Sequence, residues 1–374
     1  MTATTTHRAE PSTDTRKPER AVHFVGSLPE ELHPDDRSAM QWVIDQANGA
    51  PLTALPCDRE ANWVVSWLYN LATCDALEPF RGGEATGYDD YPRYRVAPGK
   101  RLAPEDVSLR RASDTRAAMA ARRTVQLEAE LPPLQVSVPN PLDLAFFCFG
   151  PSASLLMHLD TFRRALVDDV DSIHQQHGDE VVFQLETPAS LIALDKTPEV
   201  FSGLVIRFLV EQITRLITET PRDARWILHL CHGDLNHEPA VTPHDLTPAV
   251  RFIRALHHRL TRLGESMPQV HIPMCTGTSG PPPHTAFYRA LSRLPADVRL
   301  IAGLVDELNP RDSRRALQLV ENALGHPVTA VAAACGHGRR DVTHATANAA
   351  LARELAQSSH RQFASHRRHE GDDR

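Results

Sequence analysis

The run RWILHLCHGD, Arg225 to Asp234, closes an apolar stretch with His229 and Cys231 two residues apart. A β-strand repeats every two residues, so both side chains leave the same side of such a strand. Far downstream, AACGHGRR carries a third soft donor, Cys335. An imidazole and two thiolates suit zinc, and three protein ligands with one open position is the pattern of a catalytic zinc site. The chain has no C-x-x-C pair, the usual mark of a structural four-ligand site. Packing is the competing reading, because a buried Cys is a common core residue and a buried His is often satisfied by a backbone carbonyl.

Such donors meet only if the fold brings distant segments together. Eight short apolar runs read as strands, at residues 21–28, 52–56, 134–141, 181–188, 226–233, 269–274, 298–306 and 328–336. Amphipathic segments such as PEVFSGLVIRFLVEQITRLI and SRRALQLVENAL separate them. This alternation predicts a parallel sheet with helices outside, and eight units predict an α/β fold of the (β/α)8 TIM-barrel type in one domain over 21–357. Chemistry in that fold gathers at the C-terminal strand ends. The residues there are Gly26 and Ser27, Asn140, Gln184 and Glu186, His229 and Cys231, His271, Asp306, and Cys335. Region 77–130, with RGGEATGYDDYPRYRVAPGK, predicts a long loop excursion over one barrel mouth. Residues 1–20 and 358–374 read as flexible polar tails.

Composition narrows the partners. The 374 residues carry a formal net charge of −7, and clusters of Lys and Arg are short and broken by acids, so no footprint for nucleic acid is visible. Six scattered cysteines read as reduced thiols. The N-terminus has no apolar leader core, and no run approaches the roughly 20 apolar residues that span a bilayer. A cytoplasmic protein without a membrane partner is the expectation.

The segments HLCHGD and AACGHGRR, with VGSLP near the start and FQLETPA between them, resemble the catalytic barrel of cobalamin-independent methionine synthases and their single-barrel relatives. The likeness runs from about residue 21 to about residue 357. It implies zinc held by His229, Cys231 and Cys335. The family's Gln-x-Asp-Glu-Pro-Ala stretch, which contacts the amino-acid substrate, corresponds to QLETPA. Gln184, Glu186 and Thr187 are therefore implied substrate-binding positions, with Glu186 in the Asp place and Thr187 in the Glu place. Gly26 and Ser27 fall on the family's Gly-Ser pair near the thiol substrate, and Asn140 is a further candidate contact from its strand end.

Departures from the family shape the expectation. The family's fourth ligand, a Glu on the strand after H-x-C, has no acidic counterpart in QVHIPM, which leaves His271 or Cys275 as candidate replacements. Thr187 in place of an acid removes a charge that would hold an ammonium group, so the acceptor is expected to be something other than simple homocysteine. The implied activity is methyl transfer to a small-molecule thiol activated as a zinc thiolate, with a folate-type molecule as candidate methyl donor. Glu186, Asp306 and His337 are candidate catalytic groups for moving protons or supporting ligands. Alternatives on the same barrel are zinc-dependent alkyl transfer, such as thiol addition to an epoxide, and a metal-free barrel, decarboxylase-like or merely ligand-binding.

Overall fold

The runs LQVSVP, VVFQLET and LIAGLV are buried along their whole length, as strands covered on both faces must be. They belong to a computed structural model that describes residues 20–125 and 130–359. Apart from Arg20, Ser358 and Ser359, the predicted tails lie outside the described residues. In chain order the strands are β1 (Ala21–His23), β2 (Leu55–Pro56), β3 (Leu77–Arg81), β4 (Arg93–Val96), β5 (Leu134–Pro139), β6 (Val181–Thr187), β7 (Trp226–Leu230), β8 (Gln269–Pro273), β9 (Leu300–Val305) and β10 (Ala330–Ala333). The helices are α1 (Asp36–Ala47), α2 (Val65–Asn70), α3 (Arg111–Arg122), α4 (Pro141–Phe149), α5 (Ala153–His177), α6 (Pro188–Lys196), α7 (Glu199–Glu219), α8 (Thr247–Leu263), α9 (Thr285–Tyr288), α10 (Pro310–Leu324) and α11 (Val342–Gln357).

Eight strands form one parallel sheet in the order β1-β10-β9-β8-β7-β6-β5-β2. Its two ends meet through a parallel bridge between Val22 and Leu52, with Val22 N donating to Pro51 O at 2.7 Å and Thr53 N to Val22 O at 3.1 Å. The α/β barrel expected from the alternation is thereby present, with a second strand of only two residues. Helix boundaries follow local chemistry. Proline opens α4, α6, α8 and α10, where a missing N–H costs nothing, and left-handed glycines, Gly264 and Gly325, end α8 and α10.

Region 77–130 corrects the expectation of an unstructured excursion. Strands β3 and β4 pair as an antiparallel hairpin, and α3 packs against α1 and α5. Tyrosines give this Gly- and Pro-rich segment the anchors that a loop lacks. Tyr94 is buried and its hydroxyl donates to Leu68 O at 2.8 Å, and Tyr91 packs edge-on against Phe147. Among the described residues no helix is long and apolar enough to cross a membrane.

The start of β1 is fastened to the outer helices by a buried ion pair. Arg20 Nη2 donates to Glu321 Oε2 at 2.7 Å, and its Nη1 donates to Ser358 O at 2.6 Å, beyond the end of α11. Both side chains are almost fully buried. Deleting one partner of such a pair costs about 3 kcal/mol or more, because the other charge keeps its desolvation penalty. Arg20→Ala is therefore expected to lower the unfolding free energy by about 3 kcal/mol in urea titration followed by circular dichroism, and a loss below about 1 kcal/mol would contradict this account.

Candidate metal centre and its cavity

Parallel pairing sets Glu186, His229 and His271 side by side on β6, β7 and β8. Barrel closure brings Cys335, just past β10, to the same end. The donor atoms of His229, Cys231 and Cys335 all lie within 4.8 Å of one another. A tetrahedral zinc with one nitrogen and two sulfur ligands needs separations of about 3.5–3.8 Å, so closing on the metal asks for shifts of about an ångström. The donor set, its spacing and the cavity beyond it fit a three-ligand metal centre with an open fourth position.

The protonation of the histidines can be read from their bonds. His271 Nε2 lies 3.0 Å from Ala333 O, and a carbonyl can only accept, so this nitrogen carries the proton. Burial and the nearby His232 push the His271 pKa down to about 4, so the ring is neutral and its Nδ1 is an acceptor. His229 Nδ1 lies 2.8 Å from that atom and must be the donor. The remaining atom of His229, Nε2, keeps its lone pair, and burial beside His271 holds the ring neutral. A neutral imidazole with one free nitrogen, oriented by a bond to the other, is the form a metal binds.

His271 is thus placed behind His229, where it is fully buried and committed at both nitrogens. It crosses β9 to reach β10, and the crossing is possible because Gly303 has no side chain: a Cβ there would sit 2.5 Å from His271 Nε2. Cys275 also turns away, its thiol directed at Gly303 O at 3.5 Å. Among the described residues, neither candidate replacement for the missing acid joins the three donors.

Cys231 resists ionisation without a cation. Contact with Cys335, and then burial, raises the Cys231 pKa well above the ordinary thiol range. Cys231 Sγ accepts from Gly233 N at 3.3 Å, and Cys335 Sγ from Arg339 Nη1 at 3.9 Å. Arg339 in turn pairs with Asp234 at 3.2 Å. These contacts hold positive character beside the sulfurs, and a dication would supply the rest.

The donors line a cavity of about 450 Å³. Gly26, Ser27 and Glu186 line it too, whereas Asn140, Gln184, Thr187, Asp306 and His337 do not. Asn140 caps α4, its Oδ1 accepting from Leu142 N. Thr187 donates to His229 O at 3.1 Å and so steadies the ligand strand from below. Gln184 donates to Val25 O and to Glu186 Oε1 and receives His23. Asp306 caps its own turn through Leu308 N and Asn309 Nδ2, and His337 is buried against Asn348. Gly336, beside Cys335, lets the eighth loop lie on the first: a Cβ there would fall 3.3 Å from Ser27 N.

Several lining residues had no signal in the sequence. Asp58 follows β2, Arg111 opens α3, and the two carboxylate and guanidinium groups approach to 4.0 Å. Burial, followed by the charge of Asp58, raises the Glu186 pKa to about 7, and burial raises those of Asp58 and Asp143 as well. Since Glu186 Oε1 accepts from Gln184, its proton at neutral pH belongs on Oε2. Tyr88, from the hairpin loop, clasps the loop after β7 by accepting from Leu235 N at 2.9 Å and donating to Glu238 O at 2.7 Å. Only the aromatic content of GYDDYPRY hinted at such anchors.

With fold and site in view, the chain is a (β/α)8 barrel carrying a three-donor group at the C-terminal ends of its strands. No protein-family model matches it, and no curated protein does. Among solved structures it is similar to a B12-independent methionine synthase from Shewanella sp. W3-18-1 in complex with selenomethionine, at 14% identity and TM-score 0.49 over 90% of this chain and 97% of that one. It is also similar to a putative vitamin-B12 independent methionine synthase from Listeria monocytogenes, at 12% identity and TM-score 0.51 over 90% and 96%. The structural neighbours are cobalamin-independent methionine synthase-like proteins, and at such identity the likeness is one of fold.

Three outcomes follow from this site. Zinc binding near pH 7 should release a proton from Cys231, whose pKa stands above the ordinary thiol range, measurable by calorimetry in buffers of different ionisation enthalpy. Gly303→Ala, which displaces His271, should weaken zinc binding about 10- to 100-fold while leaving both thiols titratable, since the loss is of orientation and not of a ligand. Glu186 sets a pH effect on stability. Its folded pKa stands above the unfolded value of 4.5, so its contribution is full below 4.5 and is lost as pH rises through about 7. Glu186→Gln should flatten the fall in stability across that window, and an unchanged slope in denaturant titrations would show that the carboxyl is ionised throughout.

Proposed function

We propose that this chain is a zinc-dependent transferase that moves a methyl group onto a small-molecule thiol. The observation that carries the reading is the convergence of His229, Cys231 and Cys335 within 4.8 Å on the wall of a closed-barrel cavity. Zinc, when bound, supplies a Lewis-acid position that makes a substrate thiol nucleophilic at neutral pH.

The chain's own residues do the rest. His271 and Ala333 O fix the free nitrogen of His229, and Arg339 stabilises the negative sulfur of Cys335. Val25, Gly26 and Ser27 shape the first-strand side of the cavity, and Tyr88 lines it while clasping the loop after β7. Ordering two reactants in such a space converts a bimolecular encounter into an oriented one. Glu186 Oε2 holds a proton near neutral pH at the cavity surface, where a departing donor can take it. A folate-type donor is one candidate for that partner.

Alkyl transfer to the thiol by its addition to an epoxide is a second reading, favoured by the same proton: attack of sulfur on an epoxide carbon breaks the C–O bond and generates an alkoxide, which Glu186 Oε2 would protonate. A metal-free decarboxylase-like site would instead need free arginines to clamp acidic groups. Here Arg111 faces Asp58 and Arg339 faces Asp234.

Purified protein is expected to hold about one zinc per chain, and Cys231→Ser and Cys335→Ser to lose it while keeping the circular dichroism of the parent. Alkylated thiol should form only when donor, thiol and metal are all supplied. Folded, metal-free parent protein, or product forming equally well after chelation, would overturn the transferase reading.

A further inference from the structure

One wall of the cavity is a prebuilt aromatic surface. Phe147, on α4, is flanked edge-to-face by Trp63 at 5.6 Å and Tyr91 at 4.9 Å between ring centres, and all three line the cavity. Trp63 reaches this place at a cost. Its backbone φ is 63°, a left-handed value that a bulky side chain avoids, and such strain persists where the surroundings hold a residue for a purpose. Its indole Nε1 is buried from solvent and has no hydrogen-bond partner. An indole N–H so placed is an unspent donor in the aromatic wall.

The charges along the same cavity point the same way. Asp58, Glu60, Asp89, Asp143, Glu186 and Asp234 line it, against Arg111, Arg339 and Lys196. Arg111 and Arg339 face carboxylates already, so Lys196, exposed on α6, is the one lining cation without a recorded acidic partner among the described residues. An anionic group entering this space finds Arg111 and Arg339 already facing carboxylates, which leaves Lys196 as the lining cation to receive it.

We propose that the thiol accepted here is uncharged outside its sulfur and carries an aromatic or bulky apolar body, packed on Trp63, Phe147 and Tyr91, with a neutral acceptor for the Trp63 N–H where it has one. This rests on the transferase reading for the role of the sulfur; the preference for an apolar body stands on the wall itself. Amino-acid and sulfonated thiols are poor ligands of the cavity, and the substrate comes from hydrophobic or aromatic chemistry.

The test uses the full chain loaded with cobalt(II) under anaerobic conditions and follows sulfur-to-cobalt charge-transfer absorption. Phenylmethanethiol, homocysteine and 2-mercaptoethanesulfonate are titrated, each corrected for its own thiol pKa. Phenylmethanethiol is expected to bind at least about tenfold tighter than either of the others, equivalent to one decade in Kd. Trp63→Ala should remove most of that advantage without changing cobalt content or the affinity for homocysteine. Equal or tighter binding of homocysteine or the sulfonate would overturn the proposal, as would an aromatic preference untouched by Trp63→Ala.

A second arm needs no metal. Benzyl methyl sulfide and methionine are titrated against intrinsic fluorescence, with Trp63→Phe identifying the responding indole. If the chain takes up no cobalt, the transferase reading fails and this arm decides alone. Saturable quenching by benzyl methyl sulfide with none by methionine supports the apolar-body assignment. Quenching by methionine at equal or lower concentration, or by neither compound, overturns it.

Discussion

Two thiols and one imidazole nitrogen are held within 4.8 Å of one another, and there the Cys231 thiol resists ionisation. That constraint orders the rest of the site. Contact and burial raise the Cys231 pKa, burial keeps His229 neutral, and the single nearby guanidinium, Arg339, is divided between Cys335 and Asp234. A dication relieves all of this at once, because it converts an unfavourable pair of buried thiols into two ligands. The support behind the donors is rigid. A histidine that spans a bare glycine to reach a third strand can adopt few other poses, so the lone pair of His229 is aimed before any ligand arrives.

Much of this was legible in the sequence, and the reason is periodicity. Alternating apolar runs marked all eight barrel strands, although their observed ends fall short of the predicted ones, as at 226–233 against Trp226–Leu230. The two-residue repeat put His229 and Cys231 on one side, and barrel closure supplied Cys335. Spacing could not say which ring nitrogen of His229 would be free, nor that His271 would take the other. That depends on a carbonyl of β10 and on the gap at Gly303, both remote in the chain. A strand-end position was also a poor guide to Asp306, and neighbourhood to Gly336 a poor guide to His337; they are spent on a turn and on Asn348. Asp58, Arg111 and Tyr88 come from segments without strand or helix periodicity of the site's own elements, so nothing local marked them.

The acids of the cavity form a second pole, opposite in character to the sulfurs. Asp58, Asp143 and Glu186 are buried together with one guanidinium, Arg111, among them, and burial works against ionisation of all three. Such a group carries fewer charges than carboxylates, and a proton held there is available without bulk water. The sulfurs and the acids line the same cavity, so donors suited to a cation and carboxyl groups held back from ionisation share one space.

The hairpin of β3 and β4 ties these poles to the solvent boundary. Tyr88 joins the hairpin loop to the loop that follows Cys231, and Asn236 reaches back to Thr86 O at 3.0 Å, so the cover is bonded to the ligand-bearing segment itself. A cover attached there cannot lift without moving the chain next to Cys231. Burial is the largest cause of the raised Glu186 pKa. With the clasp made, the cavity is a medium of low polarity in which proton and charge stay where the side chains put them.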